Sequence, residues 1–406
     1  MNFSRKKFLL SLMISTTAFL SSCKNGGKGT DPQPQDTYLV SSTQITTVTT
    51  DQAVKQATLL LGSSAGTYAS LIANFIHYNV KVYKLVYNTT LPDGTAIKAS
   101  GALLVPDTQT SLPLISQQHG TITSDADAPS NYGPGSDAAS AGTFFSALGY
   151  IIACPDYIGY GESNTVPHTY EHRQGLATAS LDMLRAAKEF IKQNNVKWNN
   201  QLLLTGYSEG GYATMSLQKM IEEQYPTEFN LKASSLGAGA YDKTAFMEHI
   251  INEPTSGVSS YNQLYLWVLQ TYNSLYPNLN RPMSYYLKEP YATQAQQNGK
   301  NITINTSISD IFTDSFKQAI NDGTDKEFLA AMKDNDVYDW KPTVPTRLFH
   351  GTADNLVFYF NSQNAYNAMT KQGAPDVQLI PIPNGTHSSS VTTYLLDTYN
   401  FFSALK

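Results

Sequence analysis

The chain has 406 residues, of which 41% are hydrophobic, and a formal net charge of −5. A chain of this length forms one large domain with an insertion or two ordinary domains, and its apolar fraction is sufficient for a sizeable core. Its excess of acidic residues argues against nucleic acid as a partner.

The N-terminus has the pattern of an export signal. Basic residues at positions 5–7 precede an apolar run over residues 8–20 that is too short to span a membrane as a stable helix. The run ends in L-S-S-C, which resembles the lipobox of bacterial lipoproteins. That resemblance implies that residues 1–22 are a signal peptide and that Cys23 carries lipid. The alternative is an ordinary secretory signal that contains a cysteine.

A lipid on Cys23 implies that the mature chain is exported and anchored to a bacterial cell membrane without a transmembrane helix. Removal of residues 1–22 leaves 24 basic and 32 acidic residues, so the mature charge is about −8. Residues 23–36 are rich in Gly and Pro, which predicts a flexible tether between the anchor and the folded body.

The first predicted elements are helical. Apolar spacing over Asp51–Leu61 and Thr67–Tyr78 predicts a small N-terminal helical hairpin. Val80–Tyr87 and Ala96–Val105 flank the turn sequence L-P-D-G, so we expect them to form a β-hairpin. Another strand is predicted at Pro113–Gln117, just before His119 and Gly120.

Strands and helices then alternate, which predicts a mostly parallel sheet covered by helices on both faces. The predicted core comprises residues 37–241 and 341–406. Within the alternating part, the predicted strands are 150–154, 202–204, 233–236, 346–350 and 377–381, and the predicted helices are 138–148, 176–193, 212–223, 361–371 and 390–404.

The segment over residues 242–340 interrupts this alternation. Its pattern is helical and it is rich in tyrosine. An insertion here lies over the carboxyl ends of the strands, where open α/β sheets bind ligands. We therefore predict a helical cap, with most of its aromatic side chains forming its own core.

The strongest motif is G-Y-S-E-G over residues 206–210, which fits the G-x-S-x-G nucleophile elbow. An apolar strand precedes it and a helical pattern follows. The elbow holds its serine in a strained conformation, so Gly206 and Gly210 are needed where backbones approach closely. Ser208 is the predicted nucleophile.

A serine nucleophile needs a base, and the base needs an orienting acid, which follow in the order Ser, Asp or Glu, His. Asp354 lies in a tight loop after the predicted strand 346–350, and His387 follows the next strand. We predict these two as the acid and the base. Asp336 and Asp339 are weaker candidates because they precede the strand, and His350 lies on the strand itself, where a structural role is expected.

The oxyanion of an acyl-transfer intermediate needs two hydrogen-bond donors. We expect one to be the backbone N–H of Glu209, the residue after the nucleophile, and the other to be that of Gly120 or Thr121. The Glu209 side chain needs no part in the chemistry and is expected to form a buried hydrogen bond below the elbow.

No metal site or cofactor is predicted. Cys154 is the one cysteine besides Cys23, and it ends an apolar run where a buried thiol is expected. Among the histidines only His168 and His172 are four apart, and the H-E-x-x-H form is absent. Neither is predicted as a catalytic or metal-binding residue.

Several segments resemble the secretory-lipase branch of the α/β-hydrolases. They are the D-Y-I-G-Y-G-E-S sequence from Asp156, the H-T-Y sequence from His168 with the helix after it, residues 83–106, and F-H-G-T-A-D up to Asp354. The similarity covers most of residues 80–404 and is weakest across the cap. It implies an α/β-hydrolase fold and ester hydrolysis through an acyl-enzyme, with Ser208, Asp354 and His387 at the positions of the catalytic triad.

Two departures from the family bear on substrate size. Members often carry Gly or Gln where this chain has Glu209, and many have cap disulfides, which two cysteines cannot supply here. We predict a serine hydrolase of a small-molecule, lipid or carbohydrate ester. The alternatives are a peptidase with the same triad and, less favoured, a non-catalytic surface binding protein.

Overall fold

A nine-stranded sheet organises the chain in this computed structural model, which describes residues 37–62, 66 and 75–406. The strands follow one another across the sheet in the order β1-β2-β3-β5-β4-β6-β7-β8-β9. Their bounds are β1 Leu39–Val48, β2 Val80–Thr90, β3 Ala96–Pro106, β4 Leu112–Gln118, β5 Ile151–Pro155, β6 Trp198–Tyr207, β7 Asn230–Gly237, β8 Thr346–Gly351 and β9 Val377–Ile382.

The sheet is antiparallel at one side and parallel elsewhere. The pairs β1–β2, β2–β3 and β3–β5 are antiparallel, whereas β4–β5, β4–β6, β6–β7, β7–β8 and β8–β9 are parallel. The predicted mostly parallel sheet is therefore confirmed. Because β4, β6, β7 and β8 run in the same direction, the residues that follow them meet at one edge.

Helices cover both faces of this sheet. Leu203 of β6 packs in a core with α1, α2 and α13, while its neighbours Leu202 and Leu204 pack on the opposite face against α3 and α4. A strand buried on both faces is apolar at successive positions, which explains the unbroken leucine run. The core helices are α1 Thr50–Leu61, α2 Thr143–Ala147, α3 Arg173–Gln193, α4 Glu209–Gln224, α12 Phe360–Lys371 and α13 Val391–Ser403.

A helical cap is inserted between β7 and β8. Its own apolar core includes Phe246, Tyr265, Tyr272 and Tyr286, and that core continues onto Leu356 of the sheet domain. As predicted, the buried aromatic side chains of the cap serve mainly to hold it together. The cap helices are α5 Lys243–Asn252, α6 Ser259–Leu275, α7 Met283–Tyr286, α8 Tyr291–Asn298, α9 Ile308–Ile311, α10 Asp314–Asn321 and α11 Lys326–Asp334.

Most predicted elements are confirmed within a few residues, including the hairpin of β2 and β3 and helix α1. The helix expected over 138–148 begins with a π-helical turn, Ala138–Gly142, before α2. Strand β1 was not predicted. Its side chains are mostly polar and exposed along an edge of the sheet, so it lacks the alternation of apolar and polar residues that marks a half-buried strand.

Three predictions lie outside the described residues. They are the signal peptide over residues 1–22, the tether over residues 23–36 with the lipidated Cys23, and nearly all of the helix expected at Thr67–Tyr78. None of the helices in the described part of the chain has both the length and the apolar character that crossing a bilayer requires.

Helix α1 provides a test of the packing. Leu61 is 2% exposed in the core whereas Leu59, two positions earlier, is 73% exposed. We expect Leu61→Ala to lower the free energy of unfolding by about 2–5 kcal/mol, because it leaves a cavity. Leu59→Ala, the matched control, should change it by less than about 0.5 kcal/mol. Urea denaturation measures both, and equal losses in the two variants would contradict the packing described for α1.

Candidate active site

Ser208 lies at a sharp turn between β6 and α4. Its φ of 62° and ψ of −125° are in a region that residues other than glycine rarely adopt. The Ser208 N–H donates to the carbonyl of Gly237 at 2.9 Å, which ties the turn to the end of β7. The serine side chain is thereby placed at the carboxyl edge of the parallel strands.

The glycines around Ser208 allow this turn because backbones approach closely there. A Cβ on Gly206 would lie 2.2 Å from the carbonyl oxygen of Gly210. A Cβ on Gly210 would lie 2.2 Å from the carbonyl oxygen of Gln118 in β4. Both contacts are with backbone, which cannot move aside as a side chain can. The spatial reason given for these glycines from the sequence is therefore present in the structure.

A continuous chain of hydrogen bonds joins the three predicted catalytic residues. His387 Nε2 is 2.9 Å from Ser208 Oγ, and His387 Nδ1 is 2.7 Å from Asp354 Oδ2. Asp354 comes from the loop after β8 and His387 from the loop after β9. The carboxylate can only accept from Nδ1–H, so Nε2 is left to accept the serine proton.

Asp354 is a buried carboxylate with several donors. The N–H groups of Leu356 and Val357 donate to its Oδ1, each at 3.0 Å. Burial alone would raise the pKa of this carboxyl, but hydrogen bonds from His350 and His387 outweigh burial and lower the pKa to about 2. Asp354 is therefore ionised at neutral pH.

His350 is a second histidine on the same carboxylate. Its Nε2 lies 2.7 Å from the carbonyl oxygen of Val357 and 3.3 Å from Asp354 Oδ2. Because a carbonyl only accepts, Nε2 carries a proton, and Nδ1 accepts from the Ser362 hydroxyl at 2.7 Å. His350 has the structural role expected from its position on β8, but its contact with Asp354 was not predicted.

Tyr207 supports His387 from below. The two rings lie 5.3 Å apart between centroids, and the tyrosine hydroxyl donates to the backbone carbonyl of His387 at 2.7 Å. The residue before the nucleophile thus fixes both the backbone and the ring of the histidine. The G-x-S-x-G motif does not specify the residue before the serine, so the sequence gives no signal for this contact.

Glu209 forms a buried pair with His168. Its Oε1 lies 2.7 Å from His168 Nε2, while His168 Nδ1 lies 2.6 Å from the carbonyl oxygen of Ile158. Nδ1 must donate to that carbonyl. The short contact between Nε2 and the Glu209 carboxyl group is then a hydrogen bond in which one of the two groups carries the proton. The buried hydrogen bond expected for the Glu209 side chain is present, and its partner is a histidine to which the sequence assigned no role.

The predicted oxyanion donors differ in their availability. The N–H of Gly120 donates to Asp137 Oδ2 at 3.0 Å. The N–H of Thr121 has no protein acceptor within the described part of the chain. Glu209 is the first residue of α4, a position whose N–H has no acceptor inside the helix. Of the two candidates for the second donor, the structure leaves Thr121 free.

Two cavities reach Ser208 from different sides. One, of about 180 Å³, is lined by Asp137, Tyr207 and the α13 residue Leu395. The other, of about 20 Å³, lies under the cap and is lined by Glu171, Phe246, Tyr265 and Leu356, among others. Apart from Ser208 the residues named in the linings of the two cavities differ, and the cavities differ about ninefold in volume.

The weaker sequence candidates have other partners. Asp336 accepts from the N–H of Thr244 at 3.0 Å, and Asp339 accepts from the Gln372 amide at 3.0 Å. His172 caps α3 by accepting from the N–H of Gly175, and burial lowers its pKa to about 4. Cys154 is a buried free thiol, as expected. Within residues 37–62, 66 and 75–406, no group of three or more His, Cys, Asp or Glu side chains could hold a metal ion.

The fold and the elbow define an α/β-hydrolase. The sequence pattern of the secretory lipases matches residues 144–394, more than half of the chain, and the chain belongs to that family. The family resemblance seen in the sequence is thereby confirmed. A comparison with curated protein sequences finds no significant match. Family membership supports the hydrolysis of esters.

Solved structures show the same fold. A Legionella pneumophila protein provisionally assigned as a hydrolase has a TM-score of 0.76 and 25% identity, over 90% of this chain and 98% of its own. The rice cell wall degrading esterase LipA of Xanthomonas oryzae has a TM-score of 0.73 and 25% identity, over 90% of this chain and 96% of LipA. Candida antarctica lipase A in its closed state has a TM-score of 0.61 and 16% identity, over 89% and 82%.

The low pKa of Asp354 predicts a pH dependence of stability. Its pKa is about 2 in the folded chain and about 3.9 in an unfolded one. The resulting stabilisation, about 2 kcal/mol, is fully present above pH ~4 and is lost as the pH falls towards ~2. Asp354→Asn lacks this contribution, so its stability deficit relative to wild type should shrink by that amount between pH 5 and pH 2. Urea denaturation at several pH values measures the deficit. A deficit that does not change with pH would contradict a low pKa of Asp354 in the folded chain.

Proposed function

We propose that this chain is a serine hydrolase that cleaves carboxylic esters through an acyl-enzyme, with Ser208 as nucleophile, His387 as base and Asp354 as orienting acid. The observation that carries the proposal is the hydrogen-bond chain from Asp354 through His387 to Ser208, at 2.7 and 2.9 Å. The 2.9 Å contact is within the range in which a proton can pass between nucleophile and base, and the 2.7 Å contact orients the base.

The first half of the reaction transfers the acyl group to the enzyme. His387 Nε2 takes the proton of Ser208 while Oγ forms a bond to the carbonyl carbon of the ester. The tetrahedral intermediate then collapses, the bond to the alcohol oxygen breaks, and His387 donates its proton to that oxygen. Asp354 stays ionised throughout and stabilises the imidazolium.

The second half releases the acid. Water enters, His387 takes one of its protons, and the oxygen attacks the acyl carbon. When this second intermediate collapses, Oγ leaves as the serine hydroxyl and recovers the proton from His387. The enzyme is then in its starting state with no added reactant beyond water.

The N–H groups of Thr121 and Glu209 stabilise the oxyanion in both halves. Neither N–H has an acceptor among residues 37–62, 66 and 75–406, and Glu209 begins α4, whose N-terminus favours negative charge. Loss of one such donor typically lowers the rate by about 10²–10³. Gly120 is the less favoured donor because its N–H is bound to Asp137.

The cap over residues 242–340 forms the roof of the small cavity at Ser208. Phe246, Tyr265 and Val268 line that cavity, so the substrate meets apolar and aromatic surface there. The smaller volume on this side favours an ester with one short arm. The esters considered from the sequence, of lipids or carbohydrates, remain candidates on the side of the larger cavity.

The nucleophile is tested with p-nitrophenyl esters of chain length C2 to C16. We expect Ser208→Ala to lower kcat by at least about 10⁴-fold on every ester, because the triad acts as a unit. Ser388→Ala, an exposed serine in the same loop as His387, is the control and should retain activity. Equal activity of Ser208→Ala and wild type would contradict the proposal. Cleavage of aminoacyl-nitroanilides without ester hydrolysis would favour a peptidase instead.

We propose further that Cys23 carries a lipid that anchors the exported enzyme to a bacterial membrane. The support is the L-S-S-C sequence at the end of the apolar run and membership in a family of secretory lipases. In a bacterial host, Cys23→Ser should move the protein from the membrane fraction to the soluble fraction and abolish incorporation of labelled fatty acid. The anchor would be contradicted if Cys23→Ser stayed in the membrane fraction and wild type incorporated no labelled fatty acid.

A further inference from the structure

The small cavity at Ser208 contains one charged side chain. Phe246, Tyr265 and Val268 give it apolar and aromatic walls, and Glu171 is the charged residue in its lining. It is the smaller of the two cavities at Ser208, about 20 Å³ against about 180 Å³. A carboxylate in an otherwise apolar pocket beside the reacting serine is positioned to select what enters it.

The backbone of Glu171 is held in place. The residue has a φ of 48°, which is uncommon for a residue with a side chain, and it is only 6% exposed. The Tyr272 hydroxyl of the cap donates to the Glu171 carbonyl at 3.1 Å. Uncommon conformations of this kind persist where the surroundings fix them, and they cluster at functional sites.

The side chain of Glu171 is held by Lys243, the first residue of cap helix α5. The ammonium group, 1% exposed, pairs with Oε2 of the carboxylate. It also lies 4.3 Å from the centre of the Tyr212 ring, a cation–π contact that helps to keep it in place. Oε1 has no hydrogen-bond partner within the described part of the chain, so a residue that lines the cavity keeps one strong acceptor unoccupied.

The charge of this pair favours a neutral ligand. Lys243 already compensates the carboxylate, so a substrate ammonium group would add an unpaired positive charge in a buried place. Burial raises the pKa of Glu171 and lowers that of Lys243, because an apolar environment disfavours the charged form of each group. A hydroxyl group is neutral, is the size of one water molecule, and donates the hydrogen bond that Oε1 can accept.

We propose that Glu171 is a specificity-determining residue that binds a hydroxyl group on the short arm of the ester, so that the preferred substrates are hydroxylated esters such as monoesters of a diol or polyol. This inference rests on the proposed function, because it concerns the arm of an ester held at Ser208. Lys243 acts as a positioning residue that keeps Oε2 occupied and directs Oε1 to the substrate.

A purely structural role for the pair makes a different prediction. Buried ion pairs contribute little net stability compared with apolar side chains of similar size. If the pair served only to join the cap to the core, its replacement would affect all esters alike. If it binds a hydroxyl, replacement must change the ratio between matched esters with and without that group.

The test compares two pairs of esters of nearly equal shape. They are 2-hydroxyethyl butyrate with propyl butyrate, and methyl 3-hydroxybutyrate with methyl 3-methylbutyrate, so that a hydroxyl on either arm is sampled. Wild type should show a kcat/KM about 10- to 100-fold higher for the hydroxylated member of at least one pair, as expected for a hydrogen bond to a charged acceptor.

The decisive variant is Glu171→Met/Lys243→Met, which removes both charges together and leaves neither unpaired. Its ratio between the esters should fall to about 1, while Glu171→Gln, which keeps an acceptor, should give an intermediate ratio. Glu228→Gln is the matched control. Glu228 also pairs with a cation, Arg185, but it precedes β7 at the opposite edge of the sheet, and its variant should keep the wild-type ratio.

Each outcome distinguishes the inference from the proposed function. Equal kcat/KM values within both ester pairs in wild type would overturn the inference and leave ester hydrolysis standing. An unchanged ratio in the folded double variant, with all esters affected alike, would also overturn it. Failure of wild type to hydrolyse any ester would overturn the proposed function and this inference with it. A melting curve of each variant confirms that the compared proteins are folded.

Discussion

The close approach of backbones beneath Ser208 is the constraint on which the rest of the site depends. A Cβ on Gly206 or on Gly210 would lie 2.2 Å from a backbone carbonyl oxygen. A Cβ on Gly211 would come similarly close to the carbonyl oxygen of Gly237. This approach brings β4, β6, β7 and the start of α4 together at one edge. The serine, the free N–H of Glu209 and the loop that holds Thr121 are placed by the same contacts.

Several buried contacts between a histidine and a carboxylate lie near Ser208. Asp354 accepts from His387, which is hydrogen-bonded to Ser208, and also lies beside His350. Glu209 and His168 form a separate pair behind the elbow. In a low-dielectric interior such groups are costly unless each has its partners, and here the partners fix the orientation of His387 and Glu209.

The sequence was sufficient wherever a local pattern has a single structural meaning. The G-x-S-x-G motif between a strand and a helix predicted Ser208 as nucleophile, and the order of the remaining elements predicted Asp354 and His387 as its partners. In the structure His387 is hydrogen-bonded to both Ser208 and Asp354. The β2–β3 hairpin followed from its turn sequence. Strand β1 was missed because its pairing depends on a partner strand and not on its own apolar pattern.

Contacts between distant segments could not be predicted in the same way. Glu171 and Lys243 are 72 positions apart, in a core loop and a cap helix, and no spacing rule connects them. His168 and Glu209 are 41 positions apart. The choice between Gly120 and Thr121 as the second oxyanion donor depends on the Asp137 carboxylate, which accepts the N–H of Gly120 and not that of Thr121. These features are set by tertiary packing.

Covalent labelling with a fluorophosphonate, followed by peptide mass spectrometry, tests the central claim most directly. The reagent reacts with a serine only when a neighbouring base and oxyanion donors activate it. The account predicts a single adduct on the peptide that contains Ser208, and its loss in His387→Ala. An adduct on another serine, or no adduct on the folded wild-type protein, would contradict the assignment of Ser208 as an activated nucleophile.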